Sequence, residues 1–226
     1  MKLSFSTLGC PGWSWKEILA AAKDLNYQGI ELRGVGTELV SASGTPFLPE
    51  HLEETISHLE KVGLELPILT TGACLGHGDR NENINEAMSY IDLAQKLKAP
   101  YIRVMVDPSP KPASPDMEEA LSRMKLICGY ALQRQVTVLA ETNSVFADSS
   151  KLAEFLRQVD SPAAGALWDI HHPWRYQGET PEQTASNLEG FIRHVHVKDS
   201  VVADGGLRYK MVGHGDVPIQ KCVGLL

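Results

Sequence analysis

Short apolar runs alternate with amphipathic stretches along almost the whole chain. Strand-like runs occur at LSFST (3–7), GIELR (29–33), LPILTT (66–71), YIRVMV (101–106), VTVLAE (136–141), GALWDI (165–170) and RHVHVK (193–198). Between them the apolar residues recur at helical spacing, as in Ile18, Ala22 and Leu25, then Leu52, Ile56 and Leu59, then Ile84, Met88, Ile91 and Ala94. Boundary signals agree with that spacing. Ser14 with Glu17 forms a capping box, Pro49 opens the second helix and Gly63 closes it, and the third must stop before Pro100. Ser114-Pro115 starts a fourth helix, Ser149 or Ser150 a fifth, and Thr180-Pro181-Glu182-Gln183 a sixth.

Strands separated by helices pair in parallel, because a helical crossover can connect parallel neighbours and a tight hairpin cannot. Regular alternation without a low-complexity linker points to one domain over residues 1–226, either a (β/α)8 TIM barrel or an open doubly wound sheet. The barrel is favoured because no GxGxxG follows the first strand and polar residues recur at the C-terminal ends of several strands. After Asp199 the segment VVADGGLRYKMVGHGDVP reads as a loop, and residues 219–226 open a seventh helix. The last strand of a barrel would therefore lie beyond Leu226. A shortened barrel, an open sheet or closure by another subunit would each account for this, and an unpaired strand edge favours a homo-oligomer.

The formal charge of −7 argues against nucleic acid and for a small-molecule partner. Cys10, Cys74, Cys128 and Cys222 form no CxxC pair, so no thiolate metal site or compact disulfide framework is expected. No apolar segment has membrane-spanning length and the N-terminus lacks a signal-peptide pattern, so a cytoplasmic location is expected.

Chemistry concentrates at strand ends. Glu141 ends VTVLAE, Asp169 ends GALWD, and His196 shares a face with His194 in HVHVKD, opposite Val195 and Val197. In a barrel these three side chains come from consecutive strands and meet at the mouth. Converging carboxylates repel unless a divalent cation lies between them, and an oxygen-rich set without thiolate suits Mn²⁺ or Mg²⁺, with Co²⁺, Fe²⁺ or Zn²⁺ also compatible. Blander roles suit other residues. His194 reads as an interior histidine and Asp199 as a ligand of loop backbone. Glu31 and Arg33 could pair with each other or with their neighbours, or one of them could face inward to substrate; His77 and Asp79 could line the site or face solvent, and Trp13, Trp15 and Trp174 could wall a sugar face or simply pack.

The elements AETN (140–143), WDIHHP (168–173), HVHVKD (194–199) and GHGD (213–216), in this order on successive units, resemble the xylose isomerase-like TIM barrel superfamily of sugar and sugar-phosphate isomerases and epimerases. The resemblance implies a metal held by Glu141, Asp169 and His196, with His172 beside it touching substrate. It also implies a fourth glutamate ligand on the last strand, which the 226 residues do not contain. The implied reaction is proton transfer through an enediolate, with Glu141 as the base and His172 assisting. Lys198 and Arg103 are placed to bind hydroxyls or phosphate, and Arg208, before the GHGD turn, resembles a substrate contact. A metal-dependent isomerase or epimerase of a small sugar, sugar phosphate or related polyol or keto compound is therefore expected. The alternatives are a non-catalytic or truncated sugar-binding barrel and an endonuclease IV-like phosphodiesterase. The second lacks its expected Asp-x-His between Asp199 and Gly213.

Overall fold

The computed structural model describes residues 1–35, 38–39 and 45–226. Strands and helices run in chain order β1 (Ser4–Ser6), α1 (Trp15–Asp24), β2 (Gly29–Glu31), β3 (Gly34–Val35), β4 (Glu38–Leu39), α2 (Pro49–Val62), β5 (Ile68–Cys74), α3 (Arg80–Leu97) and β6 (Tyr101–Met105). They continue with α4 (Met117–Leu132), β7 (Thr137–Glu141), α5 (Ser149–Val159), β8 (Ala164–Asp169), α6 (Pro181–Asn187), β9 (Ile192–His196), β10 (Asp199–Ala203), β11 (Gly206–Lys210) and α7 (Ile219–Gly224). Each strand-like run of the sequence contains a strand. β1 pairs in parallel with β2, and β8 with β9, as strands joined by helices should.

The helix ends follow their local chemistry. Ser14 and Glu17 make both halves of the capping box, Gly63 ends α2 at φ 72°, and the Thr180 hydroxyl accepts from Gln183 N. Helix α4 starts later than Ser114-Pro115 suggests. Pro115 lies against Gly76, Asp116 N donates to Gly76 O, and the Asp116 carboxylate then caps Glu119 N at 2.9 Å. A Cβ on Gly76 would come within 2.7 Å of Pro115 Cβ, so this approach needs glycine. Similarly, Asp148 rather than a serine caps α5, accepting from Ser150 N.

The chain divides into two compact units. The first comprises Met1–Ala73, Asp79–Val104 and Ile127–Val138, with Ile18, Ile30, Leu32, Ile68, Leu69, Tyr90, Ile91 and Ile102 among its fully buried side chains. Trp15 packs edge-on against Phe47 there. Asp79 is the N-cap of α3 and Arg103 is buried on β6. Burial pushes the nearby Tyr90 phenol up to about 12, with the Glu86 charge adding to the shift and Arg33 and Arg103 opposing it.

The second unit comprises Cys74–Gly78, Met105–Leu126 and Leu139–Leu226. Trp168, Ile170, Val217 and Cys222 form an apolar cluster onto which Trp174, Ile192, Val195 and Ile219 pack. Trp174 is thus packing, and Val195 marks the apolar face of β9, opposite His196. The buried Arg123 guanidinium donates to the carbonyls of Cys74, His77 and Gly78, holding that loop by its backbone.

The expected loop after Asp199 is instead a β-hairpin. β10 and β11 pair antiparallel, with Ser200 opposite Tyr209, Val201 opposite Arg208 and Val202 opposite Leu207. Asp204 and Gly205 form its two-residue turn, both in left-handed conformation at φ 52° and 74°. Asp-Gly is the dipeptide such a turn favours, because both positions need positive φ.

Candidate metal and acid–base site

β8 and β9 pair in parallel with Asp169 directly beside His196, and β7 delivers Glu141 at its end. Thr142 fixes this register. Its N–H donates to Leu167 O, and its hydroxyl stands 2.8 Å from Asp169 N and 3.2 Å from Asp169 O, so it can accept from one and donate to the other. Asn143 ties the same turn to Asp107 O. Glu141 and Asp169 are both buried, and His196 is partly exposed.

Three ligand-type side chains therefore converge. The nearest donor atoms of Glu141, Asp169 and His196 lie within 4.8 Å of one another. His196 Nδ1 is 3.6 Å from Glu141 Oε1 and 3.9 Å from Asp169 Oδ2. Asp169 uses Oδ1 to accept from His171 N at 3.0 Å. Its Oδ2 is fully buried and meets the Lys198 ammonium, with Nζ 2.6 Å away. Two buried carboxylates facing an imidazole match the donors a hard divalent cation takes.

His172 lies beside this cluster, its Nε2 3.7 Å from Asp169 Oδ2. Its Nδ1 is 3.0 Å from Thr142 O, a pure acceptor, which places the ring proton on Nδ1 and leaves the Nε2 lone pair facing Lys198 Nζ at 3.0 Å. Burial holds the His172 pKa below its ordinary value, with the Lys198 charge also lowering it and the Asp169 and Glu141 charges opposing, so the ring is neutral near neutral pH. Burial would depress the Lys198 ammonium, but the Asp169 and Glu141 carboxylates outweigh it and raise its pKa.

Several neighbours were not singled out by sequence reasoning. His171 is buried, its Nε2 is 2.9 Å from Ser200 Oγ, and burial lowers its pKa to about 4. Arg175, on the short π-helical turn Pro173–Gln177, donates to Ser200 Oγ and O and pairs with Asp216. Tyr209 lays its ring 5.6 Å from that of His171, and Tyr176 packs 5.8 Å from His172. The adjacent histidines of WDIHHP were a visible signal for His171. Tyr209 is placed by the hairpin, whose β11 carries it.

The remaining expectations fall as follows. Asp199 binds loop backbone: its carboxylate accepts from Ser200, Gly213, Gly215 and Val217 N–H groups. This gives the GHGD element a structural role, because a Cβ on Gly215 would stand 2.0 Å from Asp199 Oδ1. His194 packs its ring edge-on to His196, 5.7 Å away. Arg208 is exposed and pairs with Asp204 at 2.5 Å. It sits opposite Val201 on one hairpin face, whereas Ser200 and Tyr209 share the face that meets His171. Arg103 lies in the first unit, with Thr71 Oγ1 donating to its carbonyl.

The xylose isomerase-like TIM barrel family model matches residues 19–226. No curated protein matches the chain. Among solved structures, the probable 3-DHS dehydratase AsbF of Bacillus anthracis superposes with a TM-score of 0.80 at 23% identity, over 99% of this chain and 88% of its own. A xylose isomerase-like TIM barrel protein from Mycobacterium smegmatis in complex with magnesium gives 0.77 at 15% identity, over 99% and 85%. D-psicose 3-epimerase with D-tagatose from Clostridium cellulolyticum H10 gives 0.76 at 16%, over 100% and 80%. Likenesses at such identities carry the fold alone. The strand–helix alternation, the parallel α/β architecture and the family match over most of its length together show that this chain belongs to the xylose isomerase-like TIM barrel family.

Proposed function

We propose that the chain is a divalent-metal-dependent isomerase or epimerase of a small sugar, sugar phosphate or related keto compound, with Glu141, Asp169 and His196 holding Mn²⁺ or Mg²⁺. The observation that carries the reading is the convergence of these side chains within 4.8 Å of one another, with both carboxylates buried. A bound divalent ion would supply Lewis-acid polarisation of a substrate carbonyl, acidifying the neighbouring C–H. Glu141 is the base that takes and returns that proton, because it has a carboxylate at the cluster rim and is enclosed enough to act away from bulk water. His172 offers a neutral Nε2 to a substrate hydroxyl, its ring held by Thr142 O. Lys198 supplies the only cation in ion contact with Asp169 among the described residues and would steady an oxygen that gains negative charge. A probable 3-DHS dehydratase and D-psicose 3-epimerase are among the structural neighbours that share the fold.

The test is exchange of substrate C–H protons with solvent, followed by NMR in D₂O across a panel of ketoses and their phosphates. Glu141→Gln should abolish exchange while preserving the fold, and chelation of the parent protein should abolish it reversibly. Exchange at the parent rate in E141Q would remove Glu141 from its proposed role.

A further inference from the structure

The Asp169 carboxylate divides its two oxygens between different tasks. Oδ1 accepts from His171 N, while Oδ2 is the oxygen that faces His196 Nδ1, at 3.9 Å, and His172 Nε2, at 3.7 Å. Lys198 Nζ stands at that same Oδ2, 2.6 Å away, and also 3.0 Å from His172 Nε2. An ammonium and a divalent ion that need one carboxylate oxygen compete for it, because each neutralises the charge that attracts the other. The lysine is built to give way. Its side chain is 34% exposed on a flexible four-carbon stem, whereas Asp169 is fully buried and held through Thr142 and His171.

We infer that Lys198 is the internal counter-ion of Asp169, displaced by the divalent ion, so that metal binding releases both the ammonium and His172 Nε2 for substrate oxygens. This rests on the reading that Glu141, Asp169 and His196 hold the ion, and it adds an order of events: ion first, substrate second. It also assigns Lys198 a thermodynamic role besides contacting substrate. The lysine lowers metal affinity in the substrate-free protein and keeps two buried carboxylates compensated until the ion arrives.

The inference is tested by calorimetric titration of chelator-stripped protein with MnCl₂, comparing parent, Lys198→Met, Lys198→Gln, Lys198→Arg and Asp169→Asn. Removing the ammonium should tighten Mn²⁺ binding at least tenfold in K198M and K198Q. K198R, which keeps the charge, should stay near the parent, and D169N should bind no ion. Thermal melts in chelator give a second readout, since the neutral variants should melt lower without metal and gain more from Mn²⁺ than the parent does. If the parent and D169N behave as stated but both neutral variants bind Mn²⁺ no more tightly than the parent, the counter-ion role is wrong and the metal site stands. If neither the parent nor any lysine variant binds Mn²⁺, the metal reading falls and this inference falls with it.

Discussion

Asp199→Asn tests how the segment following Lys198 is held. The Asp199 carboxylate accepts from four backbone N–H groups, with Oδ1 taking Ser200 at 2.8 Å and Val217 at 3.3 Å, and Oδ2 taking Gly213 at 2.9 Å and Gly215 at 2.8 Å. Asparagine keeps one accepting oxygen and turns an NH₂ donor toward the other pair, so two N–H groups lose their acceptor and meet a donor instead. A hydrogen bond to a charged group contributes about 1.5–3 kcal/mol, so the loss should be about 3 kcal/mol or more at pH 7. The pH dependence has a definite sign. Burial raises the Asp199 pKa, but the four backbone donors outweigh it and hold the value below 3.8. A group depressed in the folded state contributes fully above its unfolded value and loses that contribution as the pH falls through the folded value. The gap between parent and D199N, measured by urea unfolding with tryptophan fluorescence, should therefore be constant from about pH 7 to 5 and narrow below about pH 4. A gap under about 1 kcal/mol at pH 7, or one that widens on acidification, would refute the reasoning.

Other substitutions probe the rest of the scaffold. Gly215→Ala places a Cβ 2.0 Å from Asp199 Oδ1 and 2.5 Å from Ser200 O, so it should destabilise by about 2 kcal/mol or more in the same urea assay. Thr142→Val preserves shape but leaves the buried Asp169 N–H without its acceptor, which should cost about 1–3 kcal/mol and weaken Mn²⁺ binding by the same titration. Tyr209→Ala removes an exposed ring from His171 and should shift substrate KM more than stability, while Arg208→Ala, on the opposite hairpin face, should change neither.

Much of the fold was legible because each core strand was short, apolar and bounded by cap residues that obey local rules. The Ser14–Glu17 box and Gly63 illustrate this, since their chemistry is decided within a few residues. The phases of Glu141, Asp169 and His196 were legible for a related reason: strand alternation tells which residues share a face, and parallel order makes those faces neighbours. The β10–β11 hairpin is hard to read because β11 is exposed along its whole length and its alternation, Leu207-Arg208-Tyr209-Lys210, spans only four residues. Its clearest signal is the Asp204-Gly205 turn. Arg208 and Tyr209, adjacent in sequence, lie on opposite faces of the hairpin. The Lys198–Asp169 contact is long-range in side-chain space and depends on a rotamer, which no periodicity encodes.

Anomalous diffraction from crystals grown with MnCl₂ tests the central claim most directly. One manganese peak per chain, bonded to Glu141, Asp169 and His196 and absent from the Asp169→Asn variant, is the result expected. No peak at these three side chains under saturating Mn²⁺, or an equal peak in D169N, would contradict it.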